Sequence, residues 1–431
     1  MSSRPPQSSA PSPDLRRSLG VVDGVAIAAS STAATTSIAI GMGTIATVVG
    51  LQAPALLLLA FLPVLGIATA YARLNRSEPN CGNGYVWVGK SLGPWPGFLT
   101  GWVTLVGSVI FCAYTSAIMG SVVLAFANKA GLRSVAGLAL DPTSTGVTTA
   151  VGLVVLLALT ALAVTGVRAA TRFQFALLVF EYAVLLVFCG WALITGDHAV
   201  SLSWFNPFEI ADGTAFAQGM VLAVFFFWGW DAAFSVNEET RSPGDAARGG
   251  LIALFAMSRD RTMGPLWTRV HPRWGTPAAG TAVVMSVAAV IAVLAVAIPE
   301  LSDMLLAAVN AIGLIVALYY GLTALACAVR FRSARHDGAR EALLAVGVPA
   351  VSGLILLGLG GYLGYSYLTM SDHFELSPDN GWFMFSLPAA IVVAGLAMAA
   401  VAKYGRHSPY FSTGRGTDAD SLTLPMDRTA V

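Results

Sequence analysis

Two short stretches inside apolar blocks carry the residues best suited to binding chemistry. Residues 30–37 (SSTAATTS) form a small, polar run, and residues 225–231 (FFFWGWD) set bulky aromatic side chains around one glycine. Small hydroxyl side chains can hydrogen-bond freed backbone groups, and glycine permits unusual torsions. Both stretches are therefore candidate breaks in a helix. The alternative for the first stretch is close helix packing through small residues.

A helix broken within a bilayer exposes two half-helix ends. The N–H end attracts an anionic group such as a carboxylate, and the carbonyl end attracts a cation such as an ammonium. Two crossed broken helices therefore predict a site for a zwitterion. The candidate substrate-binding residues are Ser31, Thr32, Ala33, Ala34, Thr35, Thr36, Phe227, Trp228, Gly229 and Trp230.

Three acidic residues of the apolar blocks are candidates for a functional role. Glu181 is near the middle of the fifth block, where a carboxyl group should be protonated or paired across the bundle. It is a candidate for proton coupling, and equally a neutral packing element. Asp23 is a candidate cap, or a gate partner for an arginine of an inner loop. Asp231 is a candidate gate residue that lines an inner vestibule or caps the second half-helix.

Metal-binding patterns are missing from the sequence. There is no HExxH motif, the four cysteines have no metal-ligand spacing, and all five histidines lie outside the apolar blocks. The net charge of +1 does not favour nucleic acid as a partner. We therefore expect neither an enzyme nor a bound cofactor, with proton coupling as the one open possibility.

The composition places these stretches in membrane-spanning helices. Hydrophobic residues make up 56% of the 431 residues and charged residues only 11%, against about a quarter in soluble domains. The apolar residues come in continuous, non-alternating blocks of bilayer length, which favours helices over a barrel. Ten spans are predicted, at about 20–48, 53–72, 97–126, 147–166, 173–195, 214–236, 277–299, 302–329, 342–368 and 383–403.

The distribution of basic residues predicts the orientation. With the N-terminus inside, all of the 24 Lys and Arg residues except Lys129 and Arg133 lie on the cytoplasmic side. Both termini are then cytoplasmic, and the plasma membrane is the expected location. We expect residues 1–18 to be a disordered tail, residues 19–404 to be the transmembrane domain, and residues 405–431 to be a second, polar tail without an assigned role.

Several motifs resemble those of one permease superfamily. They are the loop motif of residues 71–88 (YARLNRSEPNCGNGYVWV) with its continuation at 91–102 (SLGPWPGFLTGW), the helix end at 165–168 (TGVR), and the segment 227–231 (FWGWD) followed by 237–240 (NEET). Jointly they resemble the amino acid–polyamine–organocation superfamily of permeases over most of residues 18–330. Each motif alone is weak.

The resemblance implies a fold of twelve helices, the first ten forming two inverted five-helix repeats as in the LeuT-like bundle. It also implies that helices one and six are broken at the substrate site, which here falls on residues 31–36 and 227–230. Two departures stand out. Many members have a Gly-x-Gly break in helix one, and some proton-coupled members carry a lysine near the position of Glu181.

A larger departure lies between Gly249 and Ser258. The residues that resemble the entry to helix seven (248–254) are directly followed by residues that resemble the exit from helix eight (255–260). About eight apolar residues remain, where roughly 20 are needed for each crossing. We infer that helices seven and eight are absent near 250–258, so the second repeat is incomplete. Both flanking loops are cytoplasmic in the family, so the orientation downstream is preserved.

Two functions of different classes follow. The first is a secondary active permease for an amino acid or a related amine, working by alternating access within the lipid bilayer. The second is a non-transporting, truncated permease that acts as a membrane partner or is an inactive product. The junction at 250–258 favours the second for this chain. The identity of the substrate, the coupling ion and the oligomeric state stay open.

Overall fold

The structure is a computed structural model that describes most of the predicted membrane region. The described residues are 21–32, 34–36, 38, 41–80, 82–135, 137–165, 167–196, 201–210, 212–234, 257–258, 260–263, 267, 271, 278–336 and 338–412. The N-terminal tail (1–18) and most of the predicted junction at 250–258 lie outside these residues.

Helices make up nearly all of the regular structure in the described part of the chain. The α-helices are α1 (Val21–Ser31), α2 (Ala34–Thr36), α3 (Met42–Val49), α4 (Ala53–Ser77), α5 (Gly84–Leu92), α6 (Pro94–Lys129), α7 (Thr145–Thr165), α8 (Val167–Thr195), α9 (Gly213–Phe225), α10 (Ala278–Ala297), α11 (Pro299–Asn310), α12 (Ile312–Arg330), α13 (Ala339–Ala342), α14 (Val348–Met370) and α15 (Gly381–Ala400). Two-residue strands β1 (Ser134–Val135) and β2 (Leu138–Ala139) pair antiparallel in the loop between α6 and α7.

Eight helices among the described residues are long and apolar enough to cross a bilayer, which confirms the predicted all-α, polytopic class. They account for eight of the ten predicted spans. The remaining two are the first and the sixth, the spans predicted to be broken. The first is divided into α1, α2 and α3, and the sixth forms a continuous α-helix only over α9. Their polar or glycine-containing segments interrupt the helix before it reaches bilayer length.

One predicted span is interrupted where the sequence did not suggest it. The eighth predicted span, 302–329, begins earlier, at Pro299, and divides at Ala311 into α11 and α12. Proline favours the first position of a helix, because a backbone N–H at that position would have no partner within the helix. Pro299 therefore accounts for the early start. Ala311 leaves the helical conformation, with φ −90° and ψ 1°.

The largest buried cluster is built from α4, α9 and α12. Tyr71 and Leu74 of α4, Val224 of α9, and Val316 and Tyr320 of α12 all belong to it. The interrupted spans one and six therefore pack against α4 and α12 in this cluster.

Small residues bring α6 and α7 into close contact. A Cβ atom built on Gly120 would overlap the carbonyl oxygen of Thr148, and one built on Gly152 would overlap that of Ser116. Such backbone approach is typical of helix pairs in membranes, where small residues allow tight van der Waals packing.

A largely buried ion pair connects the ends of the helices α4, α5 and α12. Glu78, directly after α4, pairs with Lys90 of α5 and lies 3.5 Å from the guanidinium of Arg330 at the end of α12. The side chains of Lys90 and Glu78 are only 6% and 15% exposed. The pair lies at the end of the bundle that is predicted to be cytoplasmic.

We expect Glu78→Gln to lower the free energy of unfolding by roughly 3 kcal/mol, because it removes the carboxylate from a largely buried ion pair with Lys90. Glu341→Gln is the matched control. Glu341 pairs with Arg73 at 2.9 Å but is 47% exposed, so its loss should cost about 0–1 kcal/mol. Thermal unfolding of the purified proteins in detergent measures both. Equal melting temperatures for the two variants would contradict a structural role for the buried pair.

The start of the predicted C-terminal tail packs on the bundle. Residues Pro409–Phe411 form a 3₁₀ turn, and Tyr410 is buried against Tyr85 with ring centroids 4.8 Å apart and planes 11° apart. The Ser408 hydroxyl donates to the carbonyl of Asp260 at 2.9 Å. Burial, together with the charge of Asp260, raises the pKa of the Tyr410 phenol well above its usual range. Residues 405–412, at the start of the predicted tail, thus continue from the last helix and pack on the bundle.

Candidate functional site

The break in the first span falls inside the predicted polar run. α1 ends at Ser31, and Thr32 forms a turn after it. The hydroxyls of Ser30 and Thr32 donate to the carbonyls of Ile27 and Ala29 at 3.2 and 2.7 Å. These side chains therefore satisfy carbonyl groups at the end of the helix, as hydroxyl residues do when a helix stops.

The break in the sixth span falls on the aromatic and glycine segment. α9 ends at Phe225, and Trp230–Phe234 continues as a 3₁₀ helix. Between them, Gly229 has φ +102°. This torsion lies in the left-handed region, where a glycine avoids the steric cost that other residues carry. The glycine that the sequence singled out is thus the residue that turns the chain.

The two breaks touch each other. A Cβ atom built on Gly229 would overlap the carbonyl oxygen of Ser31 and lie 2.9 Å from its carbonyl carbon. The tertiary structure therefore brings the two predicted binding segments together, although 198 positions separate them in the chain. The end of α1 lies against the turn at Gly229.

Aromatic side chains enclose this contact. Trp228 donates its indole N–H to the Tyr319 hydroxyl at 2.7 Å and meets Phe111 edge to face at 5.1 Å. The backbone N–H of Gly229 points to the Tyr320 hydroxyl at 3.4 Å. Phe227, which precedes Trp228, packs on Phe61 with ring centroids 5.6 Å apart. The predicted residues 227–229 are thus held by α4, α6 and α12.

Asp231 is held in place by a tyrosine of α12. The Tyr320 hydroxyl donates to its Oδ1 atom at 2.8 Å, and Asp231 is 7% exposed. Trp230 stacks on the same tyrosine at 5.5 Å and meets Tyr71 edge to face at 5.1 Å. The side-chain amide of Asn83 approaches the Asp231 carbonyl oxygen at 3.4 Å. The aspartate therefore links the sixth span to α12 two residues after Gly229.

Glu181 reaches the break in the first span. Its Oε1 atom accepts hydrogen bonds from both the backbone N–H and the hydroxyl of Thr35, at 2.7 and 2.6 Å. The structure thus joins the one acidic residue of α8 to the predicted substrate-binding run. A carboxylate that accepts two hydrogen bonds on one oxygen is a pre-oriented group.

Some predicted residues fall outside what the structure describes. Ala33 lies outside the described residues, as do the side chains of Asp23 and Thr36, so the predicted role of Asp23 as a cap or gate stays a prediction. Ala34 is part of the short α2 turn. Among the described residues, no group of three or more His, Cys, Asp or Glu side chains could hold a metal ion.

The side chains that hold these residues were not predicted from the sequence. Tyr319 and Tyr320 contact Trp228, Gly229 and Asp231, yet α12 showed no polar run or break. The available signal was the pair of adjacent tyrosines within an apolar block, since a buried tyrosine hydroxyl normally requires a hydrogen-bond partner.

Comparison with known proteins agrees with this architecture. The family model for amino acid permeases matches residues 28–257, which is more than half of the chain. The low-affinity putrescine importer PlaP of Escherichia coli strain K12 is 26% identical over 214 residues, covering 46% of this chain and 43% of the relative. The same importer of Escherichia coli O157:H7 matches with the same identity and coverage. The chain thus spans less than half of the length of these curated relatives. With its apolar helices and the matched permease segment, the chain belongs to the amino acid permease family, within the amino acid–polyamine–organocation superfamily.

Proposed function

We propose that this protein is a secondary transporter of amino acids or related amines, with its substrate site at the breaks in spans one and six. The observation that carries the proposal is the contact between Gly229 and the Ser31 backbone. It sets the carbonyl end of α1 beside the turn after α9. Carbonyl groups attract an ammonium, and the N–H groups of a helix start attract a carboxylate.

The substrate backbone is assigned to residues 31–36 and 227–230. The name of the related importer supports amines as well as amino acids, because putrescine is its stated substrate. Glu181 is the proposed proton-coupling group, since its carboxylate bonds directly to Thr35 of the same site. Asp231 is the proposed gate residue, because its bond to Tyr320 ties the sixth span to α12. The plasma membrane, with both termini cytoplasmic, is the proposed location.

Uptake by reconstituted vesicles tests this proposal. We expect the full chain to accumulate labelled substrate from a mixed pool of amino acids and amines above the level of protein-free vesicles, and an inward proton gradient to increase the rate. Asp231→Asn keeps the size of the side chain and should lower uptake by several-fold. Glu375→Gln, in the exposed loop before α15, is the control and should leave uptake unchanged. Equal uptake by the chain and by protein-free vesicles contradicts the proposal.

A second candidate is a non-transporting member that acts as a membrane partner. The predicted junction favours it, since helices seven and eight would be missing from the second repeat. The family match ends at residue 257, inside that segment.

A further inference from the structure

The short segment after the last helix, residues 406–411, folds back onto the end of the bundle that is predicted to be cytoplasmic. The chain turns at His407, whose φ of +49° lies in the left-handed region that residues with a Cβ atom seldom adopt. The Arg406 guanidinium donates to the carbonyl oxygen of Thr262 at 3.2 Å, two residues beyond the carbonyl to which the Ser408 hydroxyl donates. The segment is thus held against the stretch of chain that follows the predicted junction.

Two glycines make room for the Tyr410 side chain. Gly89 of α5 and Gly97 of α6 lie so close to its hydroxyl that a Cβ atom built on either would overlap it. Outside α5 itself, the three atoms nearest to such a Cβ on Gly89 all belong to Tyr410. The hydroxyl donates to the carbonyl oxygen of Tyr85 at 3.3 Å. The two helices thus form a socket that fits one tyrosine ring, and Tyr410 is 2% exposed in it.

Tyr410 completes a buried cluster that includes part of span one. Ile27 of α1, Tyr85 of α5 and Met257 belong to this cluster together with Tyr410, and each of the four is at most 2% exposed. Ile27 lies about one helical turn before Ser31, whose carbonyl group lies at the contact between the two breaks. The half-helix that ends at the proposed site is therefore packed in one cluster with the C-terminal segment.

Passage of a substrate from the proposed site to the cytoplasmic side requires this half-helix to move. The site lies at the end of α1, so a path towards the cytoplasm opens when α1 separates from the helices around it. Close-packed side chains resist a partial displacement, because even a narrow gap forfeits much of their dispersion energy. Separation of α1 therefore requires the cluster around Tyr410 to come apart.

We propose that residues 406–411 are a latch that keeps the cytoplasmic end of this protein closed, with Tyr410 as the residue that locks it. While Tyr410 fills its socket, the cluster holds α1 against α5, and when the segment leaves, α1 is free to move. The inference rests on the proposed function only for the claim that opening lets a substrate pass. The closed state is a property of the packing and is measurable without transport.

Hydrogen–deuterium exchange of the full chain in detergent micelles, read by mass spectrometry, tests the latch. Tyr410→Ala empties the socket and should speed the exchange of the α1 amides at least about tenfold, because amide exchange reports local opening. Tyr404→Ala is the matched control. Tyr404 lies in the turn that ends the last helix and is 64% exposed, so its loss should leave the exchange of α1 unchanged.

Gly89→Ala displaces the same tyrosine from the opposite side of the contact. In the full chain it should speed α1 exchange to a similar extent as Tyr410→Ala. Combined with Tyr410→Ala it should add nothing further, because outside α5 the new methyl group meets the Tyr410 side chain first. Additive effects of the two substitutions would contradict the socket.

Two further results would overturn the latch. The first is equal α1 exchange in Tyr410→Ala and Tyr404→Ala. The second is faster exchange in Tyr410→Ala that is spread equally over α1, α6 and α14, since that pattern means a loss of stability in the whole bundle.

The exchange and uptake results are distinguishable. Faster α1 exchange in both single variants, without uptake by any variant, would support the latch and count against transport. Uptake by the full chain, with α1 exchange that Tyr410→Ala leaves unchanged, would support transport and overturn the latch.

Discussion

Gly229→Ala is expected to reduce substrate uptake at least about tenfold, because it separates the two breaks that form the proposed site. A residue with a Cβ atom in the left-handed region costs roughly 1–2 kcal/mol. In addition, the new Cβ atom would overlap the carbonyl oxygen of Ser31. Since that neighbour is backbone, the overlap can be relieved only by moving α1 or the turn itself.

Gly190→Ala is the matched control for this prediction. Gly190 is a glycine in the span α8, and no atom lies within 4 Å of a Cβ atom built on it. Alanine there should stabilise the helix by up to about 1 kcal/mol and leave uptake unchanged. Vesicle uptake and thermal unfolding should be measured for both variants. A Gly229→Ala protein that transports as well as Gly190→Ala would show that the contact with Ser31 is dispensable.

Restoring two helices between Leu254 and Phe255 is expected to raise uptake about tenfold or more over the chain itself. The inserted segment would be helices seven and eight of an intact permease, each with roughly 20 apolar residues. The reason is mechanical, because alternating access moves one group of helices against another, and the predicted loss leaves the second repeat without two of its five. An even number of added spans preserves the orientation of everything that follows.

The control is a variant in which the residues within each of the two inserted helices are placed in scrambled order. It crosses the membrane equally well but lacks the side chains that pack on the rest of the bundle, so its uptake should stay at the level of the chain. Uptake confined to the correctly restored variant would assign the chain to the non-transporting class. Equal uptake by the chain and the restored variant would mean that the two helices are dispensable or supplied by another subunit.

Local composition was sufficient to predict the spans and the breaks in two of them. Apolar blocks of bilayer length must form helices, because lipid offers no partner for backbone N–H and C=O groups. The polar run at 30–37 and the glycine at 229 mark where two of these helices stop, since hydroxyl side chains and a left-handed torsion are local properties. The start of α11 at Pro299 and the division at Ala311 were missed, because a short interruption within an apolar block changes hydropathy very little.

Only the tertiary structure decided which of these residues meet. Glu181 accepts a hydrogen bond from Thr35, 146 positions away, and Tyr320 donates one to Asp231, 89 positions away. Tyr410, in the predicted tail, stacks on Tyr85 of α5. Hydropathy is a property of one segment, whereas these contacts depend on how helices pack side by side. That packing is determined by the shapes of the side chains and by close approach of the backbones. The sequence by itself thus determined a polytopic helical protein with two interrupted spans. Packing decided that the interruptions touch and that the Glu181 carboxylate bonds to the first of them.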